Sequence, residues 1–354
     1  MGDPMFVEIT NTPRDYVWGS KTLLPDFLGT APDGHPQAEL WLGTHPGSPA
    51  RVRGRGGDLR DLVPELPFLL KVLAAAQPLS LQAHPTPVLA REGFARENAA
   101  GIPIDAPERN YKDPNAKPEL IYALSDEFRA LSGFRPTRVT RRVLDAARPG
   151  LLSRLRDDGD LRATLEWLLS GDPRVGEVVG LVSAVADDVD GESWRTVRRL
   201  AAAYPGDPGI AISLLLHSVV LRRGEALYLP AGNLHAYQEG LGVELMGASD
   251  NVLRGGLTPK HIDVAELLTV VDFTPIADPR VVPEVRDGVS TFAPDGAGWR
   301  LRVVEGPARL AIGAPSIVLV LSGSTNGLGR GRAAYVDAGA LDVAAGVAVV
   351  ADAF

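Results

Sequence analysis

The chain has 354 residues, 45% of them hydrophobic and 23% charged, enough apolar material for about two to three units of ~100–200 residues. Asp+Glu (44) outnumber Lys+Arg (36), the net charge is −8 and the pI is near 5.4. This excludes the extended basic footprint of a nucleic-acid binder, so any bound phosphate needs a local cluster of cations. There is no cysteine, which excludes disulfides, thiolate metal sites and cysteine nucleophiles and leaves only N and O donors for a metal.

Residues 1–13 carry no basic stretch followed by an apolar one, and the longest apolar runs, such as 210–216, fall far short of a membrane span. No membrane partner and a cytoplasmic location are therefore expected. Up to about Arg135 the signals are mixed, with Pro and Gly punctuation, a short apolar run over 66–75, and spacing that predicts a helix over 87–100. The polar, Pro-bearing stretch 101–118 reads as an active-site loop or a surface connection.

Between 136 and 221 the texture changes. Apolar residues recur at spacings of three and four over 143–155, 161–169 and 178–185, which predicts a helical block. Strand signals return at 224–230, followed by turn chemistry at Ala231-Gly-Asn233 and a further short run at 242–246. The last 65 or so residues read as short strands separated by glycine, at 299–304, 308–312, 316–321, 333–336 and 343–350, with no ionisable constellation. The expected fold is mainly β with an α insert, the β parts being jelly-roll-like.

Six histidines stand at 35, 45, 84, 217, 235 and 261. In Pro78-Leu-Ser-Leu-Gln-Ala-His-Pro85, Gln82 and His84 are two apart, which in an extended segment puts an amide and an imidazole on one face. Lys117 and Glu119 share that spacing, with Pro118 favouring an extended conformation at Lys117. His235 follows a tight turn after a strand, as a natural partner for His84. Gln82, His84, Glu119 and His235 make an N2O2 set that suits a borderline divalent cation such as Zn²⁺. Taken singly, a His-Pro or Pro-Glu pair is more often a turn or a solvated surface feature. His217 reads as a satisfied histidine at a core edge, His35 and His45 as loop residues, and His261 as part of the first turn of a helix running to Leu268.

Seven separated motifs carry a resemblance: Tyr16-Val-Trp-Gly-Ser20, Ala38-Glu-Leu-Trp-Leu-Gly-Thr-His-Pro46, Leu66-Pro-Phe-Leu-Leu-Lys-Val-Leu73, Leu79-Ser-Leu-Gln-Ala-His-Pro85, Tyr111-Lys-Asp-Pro-Asn-Ala-Lys-Pro-Glu119, the stretch 224–237, and Ser249-Asp-Asn-Val-Leu-Arg-Gly-Gly-Leu-Thr-Pro-Lys260. In this order they resemble the type I mannose-6-phosphate isomerase family of zinc-dependent cupin proteins with an inserted helical domain. The likeness is close over 1–135 and 222–270 and looser elsewhere, and the C-terminal β region is short for the family.

The resemblance implies a catalytic cupin-type domain from 1–135 with 222–275, a helical insert over 136–221, and a C-terminal β domain over 276–354. It implies one Zn²⁺ per chain on Gln82, His84, Glu119 and His235, with Lys117 and Arg254 in the catalytic pocket. It assigns Lys71, Ser80 and Lys260 to the substrate phosphate, Trp18, Trp41 and Tyr237 to the sugar, and Asp250 and Asn251 to orienting the arginine. The implied reaction is aldose–ketose isomerisation of a hexose phosphate through an enediol, by a monomer with a small-molecule partner and no nucleic acid. Two other readings share the ligands: an Fe(II) cupin oxidoreductase, since two His and a carboxylate also make a facial triad, and a sugar-phosphate sensor without turnover.

Overall fold

A computed structural model describes residues 5–147 and 160–354. The chain is mainly β, with two ten-stranded antiparallel sheets and a helical block inserted between two neighbouring strands. One sheet runs Leu253–Gly256, Leu81–Ala83, His235–Gly247, Glu119–Ala123 and Ala226–Leu229, with Phe68–Ala75 and Glu127–Phe134 also joined to the long strand His235–Gly247. The other is built from Trp299–Glu305, Gly339–Ala353, Ser316–Thr325 and Ala333–Val336, and it takes in Phe6–Thr10 from the N-terminal end.

The expected division of the chain therefore cuts across the sheets. Phe6–Thr10 pairs with Ala333–Val336 in the C-terminal sheet, while Arg280–Val281 crosses the other way to pair with Ala226–Leu229. Apolar alternation tells a strand which face to bury, not which strand to sit beside.

Every residue of Phe68–Ala75 is buried, and the two-residue period sorts them. Phe68, Leu70, Val72 and Ala74 join a core between the two sheets, where they meet Trp299, Leu301, Ile317 and Val349. Leu69, Lys71, Leu73 and Ala75 point the opposite way, so Lys71 shares its face with Trp41 and Glu244, its direct partners on the flanking strands.

The helical block leaves the sheet after Glu127–Phe134 and returns as Leu216–Arg222, the two strands pairing with each other. Leu161, Leu165 and Leu168, then Val175, Val178, Val179 and Val182, line its core at helical spacing. Asp160 and Asp172 cap these two helices with their carboxylates. The expected spacing over 143–155 runs past residue 147, and that remainder lies outside the described residues. The helix after His261 starts later than expected, at Val264–Val270, because Asp263 takes the N-cap position. No helix among the described residues is long and apolar enough to cross a membrane.

Candidate metal centre

Four segments converge. The strand Leu81–Ala83 lies between His235–Gly247 and Leu253–Gly256, in a register that puts Gln82 opposite both His235 and Arg254. Directly opposed residues of antiparallel strands share a face, so His235, Gln82 and Arg254 form a row across the sheet. His84 follows the strand directly, and Glu119 opens the next one, Glu119–Ala123. Gly232 ties two of these segments together: its N–H donates to the His84 carbonyl at 2.8 Å. A φ of +81° and a Val270 carbonyl only 3.0 Å from where a Cβ would stand explain why glycine is needed there.

His84, Glu119 and His235 bring one donor atom each to within 4.8 Å of one another, and all three side chains are buried. Each imidazole is held through Nδ1, that of His84 on the Asn251 carbonyl at 2.7 Å and that of His235 on the Asn233 carbonyl at 2.9 Å. A carbonyl only accepts, so Nδ1 carries the proton in both rings and Nε2 presents a lone pair. The two Nε2 atoms lie 3.2 and 3.3 Å from the two carboxylate oxygens of Glu119. Lone pairs thus face lone pairs, and among the described residues His84 Nε2 and Glu119 Oε2 have no hydrogen-bond partner. Burial without a partner is costly, and a cation at this point satisfies both atoms. Gln82 reaches the same spot, its amide nitrogen 3.4 Å from His235 Nε2; a half-turn of the amide presents its oxygen instead.

Electrostatics agree with that reading. Burial, then the charge of Lys117, pushes the His84 imidazole down to about 4, so it is a neutral donor near pH 7. Burial opposes the Glu119 charge, but Lys117 and the two histidines outweigh it and hold the carboxyl well below its usual range. Lys117 itself is buried, with Nζ 2.8 Å from Glu119 Oε1.

Asn251 is fully buried and clamps the loop before Glu119: its side-chain oxygen accepts from the N–H groups of Lys112 and Asp113, and its amide donates to the carbonyls of Asp113 and Asn115. With its own carbonyl on His84, it orients a candidate ligand and a loop rather than the arginine. Asp250 is half-exposed beside it, with its N–H on Asp113.

Among the described residues no ion pair engages Arg254 or Lys260. Burial lowers the Arg254 guanidinium; burial, then the charges of Arg254 and Lys112, lowers the Lys260 ammonium. The charges of Arg254 and Lys112 both reach Lys260; Lys112 stands in the motif 111–119 but was not singled out from the sequence. Ser80, half-buried, stands two residues before Gln82 on the adjoining stretch.

Lys71, expected at the substrate phosphate, lies among acidic and aromatic neighbours. It is buried, with Nζ 3.1 Å from Glu244 and 3.7 Å from Glu39, and it sits over the Trp41 ring at 4.9 Å. Burial opposes its charge, but Glu244 and Glu39 outweigh that and keep it an ammonium. The Glu244 carboxyl is in turn pushed up, by burial first and despite the charge of Lys71. Tyr237 is fully buried near Glu244, and half-buried Trp18 packs on the same cluster. His217 donates to or accepts from no ligand-set residue; its Nε2 is satisfied by the Ile276 carbonyl at 2.9 Å. A cavity of about 770 Å³ elsewhere, between the two sheets, shares no residue with the triad.

A family model described as the phosphomannose isomerase type I catalytic domain matches residues 6–137. The chain is 43% identical over 293 residues to the mannose-6-phosphate isomerase of Escherichia coli (strain K12), covering 75% of this chain and 74% of that protein. It is 31% identical over 353 residues to the Bos taurus mannose-6-phosphate isomerase, covering 84% and 81%. Its structure is similar to that of mannose 6-phosphate isomerase from Salmonella typhimurium bound to its substrate F6P and zinc, with a TM-score of 0.89, 34% identity, and coverage of 98% of this chain and 99% of that one.

Proposed function

The chain belongs to the type I phosphomannose isomerase family, and we propose that Gln82, His84, Glu119 and His235 hold the zinc with which it interconverts mannose 6-phosphate and fructose 6-phosphate. The single observation that carries the ligand assignment is the convergence of proton-free acceptor atoms on one buried point. Bound there, the ion would supply Lewis acidity and a fixed positive charge for the developing enediolate.

The reaction opens the ring, removes a proton from the carbon beside the carbonyl, and returns it to the neighbouring carbon through an enediol. Arg254 faces the same side of the sheet as Gln82 and, as a group that keeps its proton, stabilises the enediolate charge. Lys117, 2.8 Å from Glu119, first passes a proton to water and then, as the neutral amine, takes the proton from the carbon beside the carbonyl and returns it to the neighbouring carbon. Lys260, with Lys112 near it, and Ser80 take the phosphate, while Lys71 remains in its ion-pair network with Glu39 and Glu244. Trp18 and Tyr237 close the apolar wall and Asp250 meets a sugar hydroxyl.

Replacing His84 or Arg254 separates metal from chemistry. His84→Ala is expected to lose zinc and turnover together, whereas Arg254→Ala keeps one zinc per chain and loses about 100-fold or more in kcat, read by metal analysis beside a coupled assay. An active, zinc-free His84→Ala protein overturns the ligand assignment.

A further inference from the structure

His45 lies outside the ligand set, in the loop after the strand Glu39–Leu42, yet only 6% of it is exposed. Gly47 N–H donates to its Nδ1 at 3.1 Å. A ring nitrogen that accepts carries no proton, so the neutral imidazole has its proton on Nε2. Trp41 holds the ring edge-on at 5.0 Å between centroids, and is itself fixed by its indole N–H on Glu39 at 2.7 Å. Held in this way, Nε2 faces Asp250 Oδ1 at 3.6 Å.

That distance lies just beyond a hydrogen bond, and a shift of about a few tenths of an ångström in the half-exposed Asp250 carboxylate closes it. Such contacts commonly tighten when substrate binds. The charged groups that reach His45 are Asp250, Lys71, Asp113 and Lys117, which sets it among the residues of the site. A buried ring with its only N–H aimed at a half-exposed carboxylate has one evident use.

We propose that His45 is a positioning residue for Asp250: its Nε2–H donates to one carboxylate oxygen and so turns the other towards a sugar hydroxyl. The proposal rests on the assignment of Asp250 to the substrate made above.

Zinc-loaded His45→Gln, His45→Leu, Asp250→Asn and the His45→Leu/Asp250→Asn double variant test it by steady-state kinetics on mannose 6-phosphate, with zinc content and thermal melts as controls on folding. Glutamine retains an N–H donor, so His45→Gln is expected to stay within about 3-fold of the parent kcat/KM while His45→Leu loses about 10-fold or more. On the Asp250→Asn background the leucine substitution is expected to cost less than about 2-fold. Equal losses in the glutamine and leucine variants, or a full additive loss in the double variant, overturn the proposal.

A second readout does not depend on turnover. Long-range ¹H–¹⁵N spectra of the zinc-loaded parent are expected to give the Nε2–H tautomer at His45, with an Nε2 resonance that moves on addition of fructose 6-phosphate and does not move in Asp250→Asn. A resonance that stays put in the parent overturns the dyad even if His45→Leu fails to fold. A moving resonance in an inactive parent supports the dyad and overturns the isomerase reading alone.

Discussion

His84 and His235 are each tethered by an Nδ1–H to a main-chain carbonyl, and this arrangement has a consequence for pH. Burial pushes His84 down to about 4, so the folded chain keeps the ring neutral where the unfolded chain, with its ordinary value near 6.5, binds a proton. Stability is then lost as pH falls from 6.5 towards 4, and Glu119, held well below its usual value, adds its own loss below about 4.5. Thermal melts of the chelated protein are expected to drop over this window, and more steeply than in His84→Gln; equal slopes would contradict it. The two-residue spacings of Gln82 with His84 and of Lys117 with Glu119 were legible in the sequence because strand periodicity is local. Arg254 was reached only through resemblance, since its place opposite Gln82 depends on strand pairing. Lys112 and His45 lie inside quoted motifs but were given no role, His45 being read as a loop residue: each matters for what the fold brings beside it.

At the scale of elements, the site is a set of short strands and loops locked to one another. Asn251 joins the loop before Glu119 to the strand Leu253–Gly256 through four side-chain hydrogen bonds within normal distance, and its carbonyl fixes His84. Asn251→Ala leaves those buried groups unsatisfied and is expected to cost ~2–4 kcal/mol of stability, with weaker zinc retention measured by competition with a chelator. Unchanged melting and zinc affinity would show that the clamp is not structural. The helices Pro87–Ala99, Leu161–Leu168 and Pro173–Asp187 and the main C-terminal strands followed their sequence periodicity, whereas the helix Glu192–Ala203 carried no spacing that was read and the end of the expected helical block is the strand Leu216–Arg222. The start of Val264–Val270 also departed from expectation, since the capping carboxylate of Asp263, rather than Thr258-Pro259, sets the first turn.

At the scale of the whole molecule, the two sheets share one core and exchange strands. The catalytic sheet cannot be separated cleanly from the C-terminal one: cutting after residue 275 uncovers Leu40, Leu42, Leu70, Val72 and Leu245 and removes the partner of Phe6–Thr10. At about 1.5–3 kcal/mol per large apolar side chain, that loss exceeds the ~5–15 kcal/mol stability of a typical domain only when several are exposed together, as here. A 1–275 fragment is expected to be insoluble or unfolded by circular dichroism, and a soluble, zinc-binding fragment would contradict the shared core. The sequence revealed a mainly β chain with a helical insert, but this exchange was hidden because partner choice is non-local. The most direct test of the central claim is turnover of mannose 6-phosphate to fructose 6-phosphate in a coupled assay before chelation, after it, and with Zn²⁺ restored. Activity that vanishes on chelation and returns with zinc is the predicted result; a folded, zinc-loaded protein without turnover, or activity indifferent to chelation, would contradict it.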